Sequence, residues 1–147
     1  MGVSRSPSRN NLCGVLFMRG GGVRRDACDN WFSKCVRHRD GHTCQKCGKG
    51  GTDAAHIYGR AKKSTRWSMD NAVTLCSYCH RYFTAHPIDF HDFLRSLYGD
   101  GHLEILREKA NAILKTNKIL RKEISDHYRG ELKKAEANPL YNIVSYN

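Results

Sequence analysis

The chain of 147 residues has no apolar run approaching the roughly 18 or more residues of a membrane span, and a membrane is therefore not an expected partner. It has no internal repeat, so it is read as one modest domain with extensions. Acidic residues are scarce, 14 Asp and Glu against 25 Lys and Arg, which leaves a formal net charge of +11. Such a surface attracts polyanions, nucleic acid first. Apolar residues make up only 39% of the chain. A core of this size buries a smaller share of its surface than a larger one does, and a bound metal is the obvious staple. A secretory leader is not expected either. The apolar stretch 12–18 follows Arg5 and Arg9, but it contains Gly14 and runs into Gly20-Gly21-Gly22 and Arg24-Arg25 with no small-residue cleavage site in the usual place.

Seven cysteines are present. Four of them form two CxxC pairs, Cys44/Cys47 and Cys76/Cys79. Zinc prefers four tetrahedral ligands and takes thiolate sulfur readily, and two such pairs complete its shell with no position left for water. The pattern predicts a structural zinc site that joins the start of the module to the start of its last helix. Cys13, Cys28 and Cys35 are left over, an odd number. This fits free thiols in a reducing, cytoplasmic setting.

The chain divides into four stretches: a flexible basic arm over 1–25, a module over 26–87 that holds every metal and site candidate, a helical extension over 88–137, and a tail over 138–147. Within the module, residues 29–39 read as a short helix or an irregular apolar lead-in, Asp40-Gly41 as a turn, residues 54–58 as a strand, 59–70 as a basic loop, 72–75 as the returning strand and 77–85 as a helix ended by His86-Pro87. In the extension, Phe90, Phe93, Leu94 and Leu97 share one helix face, with Asp89 as the expected cap and Gly99 as the stop. Apolar positions from Leu103 to Tyr128 continue the helical spacing. One unbroken helix over 102–136 would be about 50 Å long, and a break is expected near 115–117.

Between the knuckles stand His56, Asn71 and His80. With Ala55-His56-Ile57 on the first strand, Asn71-Ala72-Val73 opening the second and Cys76 to His80 entering the helix, the stretch 38–85 resembles the HNH endonucleases. The resemblance implies an α+β fold, a small zinc-stapled ββα-metal module with the helical extension added to it. It implies His56 as general base, His80 as ligand of a catalytic magnesium or manganese ion, and Asn71 as the residue that fixes the loop and the ring of the base. A neutral histidine can take a proton from water near neutral pH, and a divalent cation can bind a phosphate oxygen and the departing oxygen. Many members of the family carry an acid directly before the first histidine. Here that residue is Ala55. Asp53 lies on the same strand face by the period of two and is the candidate replacement; a water filling the gap is the alternative.

The loop after His56 carries Arg60, Lys62, Lys63 and Arg66, four cations expected to contact DNA phosphates, with Ser64 and Thr65 as added hydrogen-bond donors. Trp67 is read as core. No compact base-reading element stands out. The wider order of motifs is also similar to phage recombination endonucleases of the NinG/Rap type, which implies branched DNA as substrate and a bacterial or phage-infected cell as setting. Cutting both strands needs two active sites, which makes a homodimer through the long helix one expectation. Two rival readings stand beside the nuclease. One is a non-catalytic zinc-ribbon module that binds nucleic acid. The other is an interaction protein with a degenerate nuclease fold.

Overall fold

A computed structural model describes residues 23–146, so the expected arm over 1–25, and Cys13 with it, lies largely outside the described residues. The elements are α1 (Ala27–Arg39), β1 (Asp53–His56), β2 (Ala72–Leu75), α2 (Ser77–Ala85), α3 (Pro87–Tyr98), α4 (Asp100–Asn111) and α5 (Lys118–Ala137), with a single 3-10 turn at Met69–Asn71 before β2. The fold is α+β: one antiparallel two-stranded sheet among five helices. Strand, basic loop, strand and helix follow one another in the expected order, and β2 and α2 have the expected bounds.

The start of α1 is fixed by its own sequence. Asp29, in its first turn, accepts the backbone N–H of Asp26 at 2.7 Å, while Arg37 and Arg39 put positive charge at the C-terminal end. The chain then turns through Gly41 and His42, both at positive φ (61° and 54°), into the first knuckle. Arg39 and Asp40 tie this turn to β2: Arg39 donates to the carbonyls of Met69 and Ala72, and Asp40 accepts the N–H of Thr74 at 2.9 Å. Gly51 enters β1 where a side chain cannot fit, since a Cβ would stand 2.9 Å from the backbone nitrogen of Cys44.

The register pairs Asp53 with Leu75, Ala54 with Thr74, Ala55 with Val73 and His56 with Ala72. Alternation then gives the sheet two different faces. Ala55, Val73 and Leu75 pack with Cys44, Cys79, Phe83 and Leu94 toward α2 and α3. Ala54 and Ala72 face a second cluster built from Cys28, Phe32, Cys35 and Val36 of α1, Trp67 and Met69 of the loop, and Ile124, Tyr128 and Leu132 of α5.

The region after 88 is not one long helix. Pro87 opens α3 with His86, not Asp89, at the cap position, because proline's missing N–H costs nothing there. Gly99, at φ 84°, ends α3 and precedes α4. Residues 112–117 then break the helical run at the expected place, and Asn117 restarts it by accepting the N–H of Leu120 at 2.8 Å. This break lets α5 turn back so that Ile124, Tyr128 and Leu132, four residues apart, lie on α1. The face of α5 that carries these three residues is thus buried within its own chain. The tail also folds back. Glu131 accepts the N–H of Val144 at 2.8 Å and the hydroxyl of Tyr141 at 2.9 Å, and Ser145 accepts the N–H of Met69 at 3.1 Å. No helix among the described residues is long and apolar enough to cross a membrane.

Candidate active site and metal centre

The four knuckle cysteines come together, with their sulfur atoms all within 4.8 Å of one another. Cys47 and Cys76 sulfurs are 3.8 Å apart. A tetrahedral zinc ion with bonds near 2.3 Å would separate its sulfurs by about 3.8 Å, so the donor set fits that ion. Gly48, at φ 74°, lets the N–H of residue 48 reach back to the carbonyl of Cys44 at 2.8 Å. Burial opposes ionisation of Cys44, but the N–H groups of Cys47, Cys76 and Lys46 outweigh it and hold the thiol at about 6. Cys79 is pushed up to about 12, by burial and then by the neighbouring thiols. A cation entering the cluster would displace the remaining protons, so affinity for the metal is coupled to pH.

A separate cavity of about 440 Å³ holds the histidines. It is lined by Asp53, Ala54 and His56 of β1, His80 of α2, Arg60 of the following loop, and Asp29, Ser33 and Arg37 of α1. Because it takes residues from both faces of β1, it runs along the strand edge that β2 leaves open.

His56 ends β1 on the α1 side, with its ring centroid 5.5 Å from that of Phe32. Its Nε2 is 2.9 Å from the carbonyl oxygen of Arg66. A carbonyl only accepts, so Nε2 carries the proton and Nδ1 keeps its lone pair. Burial lowers the basicity of His56 and outweighs the carbonyl bond and the Asp29 charge, which raise it, while the charges of Arg60 and Arg66 lower it a little further. On the α2 side, Nδ1 of His80 lies 2.8 Å from Oδ2 of Asp53. Although Asp53 is partly buried, this bond, with those from Thr52 and the charge of Arg37, lowers the carboxyl below its usual range. The residues expected as base and as metal ligands therefore share one cavity, and Asp53 reaches His80 while Ala55 packs inward.

Asn71 is fully buried. Its Oδ1 accepts the N–H of Tyr58 at 2.8 Å, and its Nδ2 donates to the carbonyls of Tyr58 and Thr65 at 2.9 and 3.0 Å. The side chain closes the loop 59–70 across its neck and so sets the path of the Arg66 carbonyl.

The basic loop divides. Lys62 and Lys63 are exposed and Arg60 lines the cavity. Arg66 is not available to DNA: it is 4% exposed, and its Nε and Nη2 bond the Asp29 carboxylate at 2.9 and 2.6 Å. A guanidinium in a site this dry requires a carboxylate, and α1 supplies it. Thr65 is likewise buried, with its hydroxyl turned to the carbonyl of Lys62. Trp67 is core, as expected, and donates Nε1–H to Asp29 at 2.9 Å. The hydroxyl of Tyr128 on α5 donates to the Trp67 carbonyl. The strand of loop that carries the partner of His56 is thus gripped by α1 and by α5.

Sequence reasoning missed Asp29, Ser33 and Arg37. Their signal was there: they recur every four residues, a polar stripe on a helix whose other buried positions are apolar.

No curated protein and no solved structure matches the chain. A family model described as HNH endonuclease matches residues 36–91, a span that contains both knuckles, β1, β2, α2 and the whole His56, Asn71, His80 series. With the two strands and helix arranged as above and the four sulfurs gathered for zinc, residues 36–91 of this chain are similar to the HNH endonuclease module.

Proposed function

We propose that the chain is a divalent-metal-dependent DNA endonuclease that hydrolyses phosphodiester bonds, with His56 as general base. The observation that carries the reading is the meeting, in one cavity, of a histidine held in a single tautomer and a carboxylate–histidine pair. The Arg66 carbonyl fixes the proton of His56 on Nε2 and leaves Nδ1 to accept a proton from the attacking water. Burial keeps the ring neutral near pH 7, which a base requires. Asp53 and His80 would hold magnesium or manganese, an ion that keeps most of its waters and needs few protein ligands. When bound, that ion supplies Lewis acidity to the phosphate and to the departing oxygen. Asn71 positions the base through the loop, and Arg60, Lys62 and Lys63 bind backbone phosphates. The four-cysteine zinc site holds β1 to α2 and takes no part in the chemistry. Branched recombination intermediates are the substrate class implied by the wider order of motifs, and the absence of a compact base-reading element in the sequence agrees with it.

The test is cleavage of supercoiled plasmid and of a four-way junction, with magnesium, manganese or neither, by the wild type and by His56→Ala. Metal-dependent cutting that the substitution abolishes while DNA binding persists is the expected result. Salt-sensitive binding with no cutting under any metal would put a non-catalytic zinc-ribbon module in its place. Faster cutting of the junction than of the plasmid would support the branched substrate.

A further inference from the structure

One wall of the cavity belongs to α1, and its charge has no part in the chemistry proposed above. Asp29 and Ser33 are buried, and Arg37 stands one turn further along the same stripe. Arg37 is anchored through one nitrogen alone: Nη1 donates to Ser33 Oγ at 2.8 Å and to the carbonyl of Thr52 at 3.2 Å. Its Nε and Nη2 have no protein partner among the described residues. Most arginines of the described chain are spent on carboxylates: Arg39, Arg66, Arg95, Arg107, Arg121 and Arg129 all make ion pairs. Arg24, Arg25, Arg37, Arg60 and Arg81 make none among the described residues, and three of these, Arg25, Arg37 and Arg60, line this cavity. Of the two carboxylates there, Asp29 is matched by Arg66 and Asp53 is bonded to His80. The cavity therefore carries an excess of guanidinium charge. Arg37 and Arg60 both line the cavity that holds Asp53, His56 and His80.

Resting on the nuclease reading, we propose that Arg37, with Arg25 at the rim, is a phosphate clamp that takes a non-bridging oxygen of the DNA strand beside Asp53 and His80, across the cavity from Arg60. An anchored guanidinium with its remaining donors free suits a phosphate: it presents parallel N–H groups in a fixed plane, and Ser33 and Thr52 have already restricted its rotamers. The strand would then pass between α1 and the basic loop along the open edge of β1. The buried stripe on α1 gains a purpose: Asp29 positions the loop that holds the base, and Ser33 positions the clamp.

The test uses the full zinc-loaded chain and a short DNA duplex. Binding is followed by fluorescence anisotropy over a range of salt, with calcium in place of magnesium, and cutting by single-turnover rates with magnesium. Each phosphate contact contributes about 0.9 to the slope of log affinity against log salt. Arg37→Gln is expected to reduce the slope by about one contact and to slow cutting of bound DNA by about 10²-fold, the usual effect of removing a donor aimed at developing charge. Arg37→Lys is expected to keep the slope but not the rate, since the charge remains and the fork is gone. Arg25→Gln, at an exposed position with no side-chain bond in the fold, is expected to lower the slope by about one contact and to slow cutting less than Arg37→Gln does. It also keeps the proposal testable should Arg37→Gln fold poorly. A slope and rate unchanged within about twofold in folded Arg37→Gln or Arg37→Lys would overturn the clamp. A wild type that binds but never cuts would sink the nuclease reading, and the slopes alone would then decide the clamp.

Discussion

The two faces of the small sheet are held by different means. On the α2 side, the core is thin and its neighbours lie close in sequence, and four sulfurs stand where a larger protein would place more apolar side chains. On the α1 side there is no such cluster of thiols at the sheet. Phe32, Trp67, Ile124 and Tyr128 pack together, and the segments that supply them are far apart: Cys35 donates its thiol hydrogen to the carbonyl of Tyr128, a separation of 93 residues. The site lies on the open edge between the two faces and draws from both. His80 and Asp53 belong to the side held by cysteine, and His56 belongs to the side held by packing. A metal staple is local and cheap in chain length, but it fixes only what it touches. His56, the proposed base, has a second support, which α5 and the tail provide through Tyr128 and the loop 59–70.

The sharpest way to break this comparison is to remove the metal. Structural zinc sites of this type contribute about 10 kcal/mol or more to folding in isolated fingers. Chelation, or Cys44→Ser, is expected to unfold the α2 side outright. Because β1 and β2 serve both faces, buried Trp67 should become exposed in the same transition. Far-UV circular dichroism and tryptophan emission, followed together during a titration with chelator, would check this. Two separate transitions would mean that α1 and α5 form a unit able to stand without the sheet.

A second test breaks the other side and leaves the first intact. Asp29→Asn removes the carboxylate from a buried guanidinium, and breaking such a pair from one side costs about 3–5 kcal/mol. The loop that presents the Arg66 carbonyl should shift, and a displacement of about 1 Å at a catalytic group costs about 10²-fold in rate. Zinc content should not change. Denaturation in urea, metal analysis and single-turnover cutting on the same preparation would separate these effects. Loss of stability with full cutting would show that His56 does not depend on this grip.

The same contrast explains what could be read from the sequence. The knuckles, β2 and α2 were legible because their signals are short-range: a CxxC spacing, an apolar run of four residues, a proline that ends a helix. Asn71 and His80 came with them. Arg66 was misread because a basic loop looks alike whether its cations face water or a buried carboxylate, and the partner sits on α1, 37 residues earlier. Asp29 sits in the first turn of α1, where it accepts the N–H of Asp26, and nothing near it in sequence marks it as the partner of Arg66. The return of α5 onto α1 was hidden for a related reason: the spacing of Ile124, Tyr128 and Leu132 shows that a face must be buried, but not by what. The break at 112–117 was visible, and only packing decides where the chain goes after it.

The smallest expected effect is the acid limb of the reaction. His56 sits in the packed half, where burial lowers its basicity below the ordinary value of 6.5. The unfolded chain, with an ordinary histidine, then binds a proton at higher pH than the folded one does. As pH falls through 6.5 toward the lowered value, the unfolded state gains that proton first, and the folded state loses stability by a modest amount. Above 6.5 this contribution is fully present. The same shift keeps the ring unprotonated, and so able to act as a base, at pH values where a solvated histidine would be half charged. Single-turnover cutting by the wild type should therefore begin to decline only below pH 6.5, where the base itself is titrated. Asp29→Asn removes a negative charge that favours the protonated ring, but it also loosens the packing that dries it. Burial is the largest influence on the ring, so that variant should move the acid limb upward toward 6.5. A limb that stayed in place, or moved down, would assign the lowered basicity of His56 to its charged neighbours, with Arg60 first among them, and would make the base a property of the cavity and not of the core behind it.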